Sequence, residues 1–343
     1  MSQRGHKTVL FCVEDSPLHH HAKDVEVVLV NRNKKGFDLK NARNVKRLLQ
    51  NHQVDFIWFA DKRDLSLVAM VKFLMGKNIK TLYLQCMQIG VNKKEFWHTI
   101  RFKRIDHWVT PLNYLVAQLK ERTKYPIERV VVIHQGLEMQ KFIEDIPSKE
   151  KARKYFNLRT DDFVVGMIGR IDVAKSPRFV MDNLVELRRK HPQLKMLMVG
   201  NKTEGEWDQY YNDIVNDIEM HHQDGSVQLY PFMNDVGYFY ATIDVFVMAS
   251  KRETYGMVTI ESMISGNKIL GTKSAGTEEL LGEGKRGYYF NWMDAVSFKE
   301  TLKHVINHSE EANAKADVAK EYARKAFSHE VELDQLEALM FNS

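Results

Sequence analysis

The chain is poor in cysteine, has no long apolar run and contains no compositionally biased tract. Its two cysteines, Cys12 and Cys86, lack metal-type spacing and read as ordinary reduced thiols, which leaves no disulfide framework and no cysteine-held zinc. No window approaches the roughly 18 apolar residues needed to cross a bilayer, and the opening MSQRGHKTVLFC lacks the apolar run of a signal peptide. A cytoplasmic location is therefore expected. Gly/Pro/Ser-rich stretches and repeats are absent, which argues against disorder and solenoids. No Asp-x-Asp pair follows a strand to hold a divalent ion, so no metal and no other cofactor is expected. His19, His20 and His21 are consecutive, point in different directions and read as a solvated loop.

What is present is a soluble globular composition, 44% hydrophobic and 28% charged over 343 residues, a length that suggests two domains. Charge is uneven. Residues 1–150 hold 26 Lys/Arg against 16 Asp/Glu, and the remainder 24 against 29. The basic half suits an anionic partner such as a phospholipid surface or a phosphorylated acceptor. Nucleic acid is not expected, because no helix-turn-helix, zinc module or ribonucleoprotein strand can be read.

Short β-branched runs recur as TVLFC, VEVVLV, VDFIWF, TLYLQC, HWVT and VVVIH, with helix-period stretches between most of them. A second alternation begins at FVVGMIG and continues through KMLMVG, VQLY, VFVMAS, KILGT and YYF. This predicts an α/β protein of two Rossmann-like domains with a cleft between them: 1–145, 146–325 for the donor, and a C-terminal helix over 326–343 packing back toward the first domain. Ligands then belong at the carboxyl ends of the strands.

Within IDVFVMASKRETYGMVTIESMISGNKILGT a strand is followed by a loop with Glu253, by Gly256, and by a helix carrying Glu261. Gly256 allows close backbone approach, and the helix start offers free amides to a diphosphate. Glu261, just over one turn in, can accept both hydroxyl protons of a ribose diol, while Glu253 lies on the sugar side. A solvated surface carboxylate is the plain alternative for each. In GRIDVAKSP, Arg170 and Lys175 occupy a strand-to-helix loop, where they either neutralise a departing diphosphate or are exposed charges at a helix start.

At these residues the sequence resembles the family 4 glycosyltransferases of GT-B fold, through Glu253-x7-Glu261, through Gly169-Arg170-x4-Lys175, and through the loop SAGTEEL over 274–280. The resemblance implies retaining transfer from a nucleotide sugar to a glycan or lipid-linked acceptor in polysaccharide or lipopolysaccharide assembly. It implies catalytic roles for Glu253, Arg170 and Lys175. Gly169, Tyr255, Gly256, Met257 and Glu261 would hold the donor. The alternative is an inactive, donor-binding relative.

The first domain resembles the family more weakly, and a phrase like RGHKTVLFC normally follows a first strand, a glycine-rich loop and a helix. Either the first strand is missing or this domain is built differently. No histidine ends TLYLQC, so no catalytic histidine is carried over; Gln85 is left as a hydrogen-bonding group there. The stretch MQIGVNKKEFWHTIRFKRID interleaves basic and aromatic residues. If helical, it rests on an anionic membrane, or positions a lipid-linked or phosphorylated acceptor, or turns Phe96, Trp97, Ile100 and Phe102 into the core with a solvated basic flank.

Overall fold

The computed structural model describes residues 1–31, 38–202, 205 and 208–341. The chain divides into two compact units, Met1–His134 with Glu332–Ser343, and Gln135–Val331. The linker expected near residue 145 thus falls inside the second unit. Packing explains the shift: the Leu137 amide donates to the Phe327 carbonyl and the His329 amide to the Leu137 carbonyl, both at 2.9 Å.

All strand pairing among the described residues is parallel, as the near-continuous apolar runs require. In the first unit β1 (Val9–Cys12) pairs only with β2 (Glu26–Leu29). Separately, β3 (Phe56–Phe59), β4 (Lys80–Leu84), β5 (His107–Thr110) and β6 (Val130–Val132) form a sheet in that order. No described strand joins β1 to β3, although Phe11 of β1 and Ile57 of β3 border the same apolar cluster beneath the helices Leu39–Asn51 and Leu65–Met75. The uncovered strands show it in their burial: Trp58 is 42% exposed, whereas Leu82 and Val109 of β4 and β5 are fully buried.

The core of this unit centres on Trp108, whose indole meets the rings of Tyr83, Phe102 and Tyr125. Its Nε1 donates to Gln85 Oε1 at 2.9 Å, and Gln85 Nε2 donates to the Met87 carbonyl at 2.9 Å. Gln85 is therefore committed to the core, which corrects its expected role as a free hydrogen-bonding group. The helix His329–Phe341 closes the unit, with Leu336 buried among Leu82, Leu84, Val109 and Ile133. Arg4 fastens it through Asp334 at 2.6 Å and Glu337 at 2.9 Å.

In the second unit β7 (Phe163–Ile168), β8 (Leu194–Val199), β9 (Val227–Tyr230), β10 (Val245–Met248), β11 (Lys268–Thr272) and β12 (Tyr288–Phe290) form one sheet of order β12-β11-β10-β7-β8-β9. This is the doubly wound Rossmann order, with its first strand, β7, at the centre. The first unit differs in that its described strands form two separate parallel sheets, β1-β2 and β3-β4-β5-β6. Buried side chains on the sheet, among them Val165, Met196 and Val247, pack against Leu184, Phe298 and Ala312 of the surrounding helices.

Candidate active site

A parallel sheet wound in both directions has a switch point where successive crossovers diverge, here between β7 and β10, which are hydrogen-bonded neighbours. A small pocket opens there, lined by Gly169, Arg170, Lys175, Val247, Met248 and Ser250. The loops leaving β7, β10 and β11 are tied to one another above it. The Lys251 amide donates to the Ala174 carbonyl at 3.2 Å, the Gly276 amide to the Glu253 carbonyl at 3.1 Å, and Thr272 Oγ1 to the Ser250 carbonyl at 2.6 Å.

Lys175 Nζ lies 2.5 Å from Glu253 Oε2, both side chains being largely but not fully buried. Ser250 Oγ donates to the same oxygen at 3.3 Å. The turn that delivers Lys175 is set by the buried Asp172, whose Oδ1 accepts the Lys175 amide at 3.0 Å. Arg170 leaves the same loop into solvent, its side chain 62% exposed and Nη2 3.5 Å from Asp172 Oδ2. An ammonium with three donors, one of them spent on Glu253, keeps two for phosphate oxygens, and Arg170 adds a second cation at the pocket rim.

The helix Met257–Ser265 starts immediately after this loop, and its N-cap Gly256 has φ 83° and no side chain to cap the free amides. A Cβ at position 256 would sit 3.2 Å from Glu253 Cγ and 3.3 Å from Leu280 Cδ1, in a backbone conformation that L-residues rarely adopt. Gly256→Ala is therefore expected to weaken nucleotide binding and to lower thermal stability by about 1–2 kcal/mol. Calorimetry and thermal melting read the two effects separately.

Glu261 is held apart from the Lys175–Glu253 pair. Tyr240 Oη donates to its Oε2 at 2.6 Å, and burial raises the Glu261 carboxyl above its ordinary range while this hydrogen bond pulls the other way. The structure thus brings Gly169, Arg170, Lys175 and Glu253 together, sets Gly256 and Met257 beside them, and puts Glu261 one turn further on. Tyr255 departs from expectation: its hydroxyl donates to the Gln135 carbonyl at 2.6 Å and its ring meets Phe327, so only its backbone faces the helix start. Asp172 and Tyr240 were not read as site residues. Asp172 had a signal, an acceptor three residues before Lys175, whereas Tyr240 stands 21 residues before Glu261 and only the folded chain joins them.

His19 and its neighbours are not gathered around a common point. The His19 ring accepts from the Asp15 amide at 3.1 Å, and the His21 ring lies 2.7 Å from the Pro17 carbonyl, as local turn contacts.

Comparison with known proteins identifies the family of the chain. The family model described as Glycosyl transferases group 1 matches residues 148–326, and that described as Glycosyltransferase Family 4 matches residues 1–141. The capsular polysaccharide biosynthesis glycosyltransferase CapM of Staphylococcus aureus is 24% identical over 209 residues, covering 61% of this chain and 53% of that protein. The chain spans about half the length of the curated relatives it matches. A solved glycosyltransferase from Rickettsia africae superposes with a TM-score of 0.85 at 18% identity, over 99% of this chain and 90% of its own. Anabaena HepE in complex with UDP gives 0.80 at 18% identity, over 96% and 91%. These likenesses establish the fold of two Rossmann-like domains. With more than half of its length under the first model and most of the rest under the second, the chain belongs to the group 1, family 4 glycosyltransferases.

Proposed function

We propose that this protein is a nucleotide-sugar-dependent, retaining glycosyltransferase that passes a sugar from a nucleoside-diphosphate donor to a glycan or lipid-linked acceptor. The observation that carries this reading is the Lys175–Glu253 pair at the switch point, beside the open start of the helix Met257–Ser265. Family membership supports it, and so does the grouping of Gly169, Arg170, Lys175 and Glu253 at the switch point.

As the bond between the sugar and the diphosphate lengthens, positive charge grows on the ring and negative charge on the leaving oxygens. Lys175, Arg170 and the first amides after Gly256 stabilise the oxygens, in a site where fixed donors act more strongly than water. Glu253 accepts hydrogen bonds from sugar hydroxyls, and Glu261 takes the ribose. The acceptor hydroxyl attacks from the face that the diphosphate leaves, its proton passing to a departing phosphate oxygen, so no protein nucleophile is required. Lys175 and Arg170 meet the electrostatic demand, and turnover is expected to persist in EDTA.

Calorimetry with UDP tests the donor site. Glu261→Ala and Arg170→Ala are each expected to weaken binding about tenfold or more, the loss of one charge-assisted contact. Unchanged affinity in both variants sinks the assignment.

A second feature supports contact with an anionic membrane. In the helix Phe96–Lys103, Phe102 is buried, but Phe96 and Trp97 are 68% and 64% exposed, and Met87 and Val91 in the preceding segment are 60% and 62% exposed. The aromatic pair is turned out of the core beside Lys93 and Lys94, as interfacial anchoring requires. Phe96→Ser with Trp97→Ser is expected to abolish co-sedimentation with phosphatidylglycerol-containing vesicles; retained binding overturns this reading.

A further inference from the structure

We propose that Tyr240 is a positioning residue for nucleoside recognition: its hydroxyl anchors one oxygen of Glu261, so that the other is presented to the vicinal hydroxyls of the donor's ribose. The inference rests on the proposed donor site and assigns to it a part that no ligand-facing residue performs.

Tyr240 lies on the helix Val236–Thr242, which packs against the helix carrying Glu261. It is 1% exposed, and its ring is enclosed by Phe142, Phe239 and Phe246. The Asn267 side-chain amide donates to its backbone carbonyl at 3.1 Å, fixing the helix at that turn. The hydroxyl has one proton and two acceptors in reach, Glu261 Oε2 at 2.6 Å and the Val258 carbonyl at 3.2 Å. The shorter contact to a carboxylate is the stronger, so the proton goes to Glu261.

This changes what Glu261 can do. A glutamate carries three rotatable bonds, and an unanchored carboxylate must be ordered when the nucleoside arrives; one already fixed at Oε2 by a buried phenol has been ordered by folding. The anchor leaves Oε1 and the spare lone pairs as acceptors for two ribose hydroxyls. Only the ionised carboxyl can accept from both.

Two opposing influences set the charge state of Glu261, burial being the larger and the Tyr240 bond the other. Burial raises the Glu261 carboxyl and the Tyr240 hydrogen bond lowers it, with no charged neighbour contributing. Of the charged groups near the two ends of its helix, Lys320 lies against Gly266 and Glu253 against Gly256. Because the carboxyl titrates above the ordinary range, ribose recognition should fail on acidification earlier than an exposed glutamate would allow. Removing the phenol proton moves that acidic limb to still higher pH.

The test is the affinity of the full chain for UDP and for 2′,3′-dideoxy-UDP across pH 5–8, in the wild type, Tyr240→Phe, Glu261→Gln and the double variant. Tyr240→Phe is expected to weaken UDP about 5- to 10-fold, to leave the dideoxy nucleotide unchanged and to shift the acidic limb upward. In the Glu261→Gln background it is expected to do nothing further. An unaltered preference for the ribonucleotide and an unmoved acidic limb overturn the role of Tyr240. Indifference of Glu261→Gln to the ribose hydroxyls instead overturns the donor reading beneath it. Should Tyr240→Phe not fold, Glu261→Asp withdraws the carboxylate from the phenol by one methylene, and an undiminished ribose preference in it is equally fatal.

Discussion

Lys175→Met is expected to lower turnover by roughly 10²- to 10³-fold while donor affinity falls much less, because in the proposed mechanism the lost cation acts mainly on charge that develops as the diphosphate leaves. The geometry explains the asymmetry. Lys175 is already paired with Glu253 at 2.5 Å, so in the ground state its charge is partly satisfied within the protein. Its second contribution appears only as the phosphate oxygens become more negative. Single-turnover measurement with a radiolabelled nucleotide sugar separates the two effects. Loss of affinity with an unchanged chemical step removes Lys175 from the catalytic role and leaves it a binding residue.

Removal of Glu253 alone is not the mirror image. It strips Lys175 of its partner and leaves a largely buried ammonium, so part of any effect belongs to the stranded charge and not to lost contact with the sugar. Glu253→Gln, which keeps the hydrogen-bonding shape, is the cleaner substitution.

The second large effect is structural. Gly200→Ala destabilises the second unit by about 3 kcal/mol, a fall in melting temperature of roughly 6–12 °C for a unit of this size. A Cβ there would stand 1.8 Å from the Gly169 carbonyl oxygen, and φ is +147°. Gly169 begins the loop that carries Arg170 and Lys175, so relaxation around the added methyl moves the cations along with the backbone. Gly90→Ala is the control: nothing lies within 4 Å of its Cβ position, and a change within about 0.5 kcal/mol is expected. Equal melting of the two variants refutes the close approach of Gly169 and Gly200.

These residues show what could be read from the chain and what could not. The described strands announced themselves as short apolar runs, most plainly in the second unit, where a parallel strand covered on both faces must be apolar almost throughout, and VFVMAS or KMLMVG admits few other readings. Lys175 and Glu253 were legible because each follows such a run within a few residues. Side-chain direction was not legible. Phe96 and Phe102 have the same composition and opposite fates, the first exposed and the second buried. Gln85 follows a strand as Glu253 nearly does, yet its amide is consumed by Trp108, a partner 23 residues away. Tyr240 met Glu261 by the docking of two helices, a contact that local spacing does not encode.

The division of the chain also sets an order of events at the ribosome. The second unit is one continuous stretch, Gln135–Val331, and can close once that stretch has emerged. The first unit is interrupted: Met1–His134 needs Glu332–Ser343, which is made only after the whole of the second unit, before Leu336 can fill the cluster around Leu82 and Val109. Synthesis therefore finishes the later unit first and leaves the earlier one waiting with its apolar cluster uncapped. That interval is when a holdase chaperone has most to protect, and when premature termination does most damage.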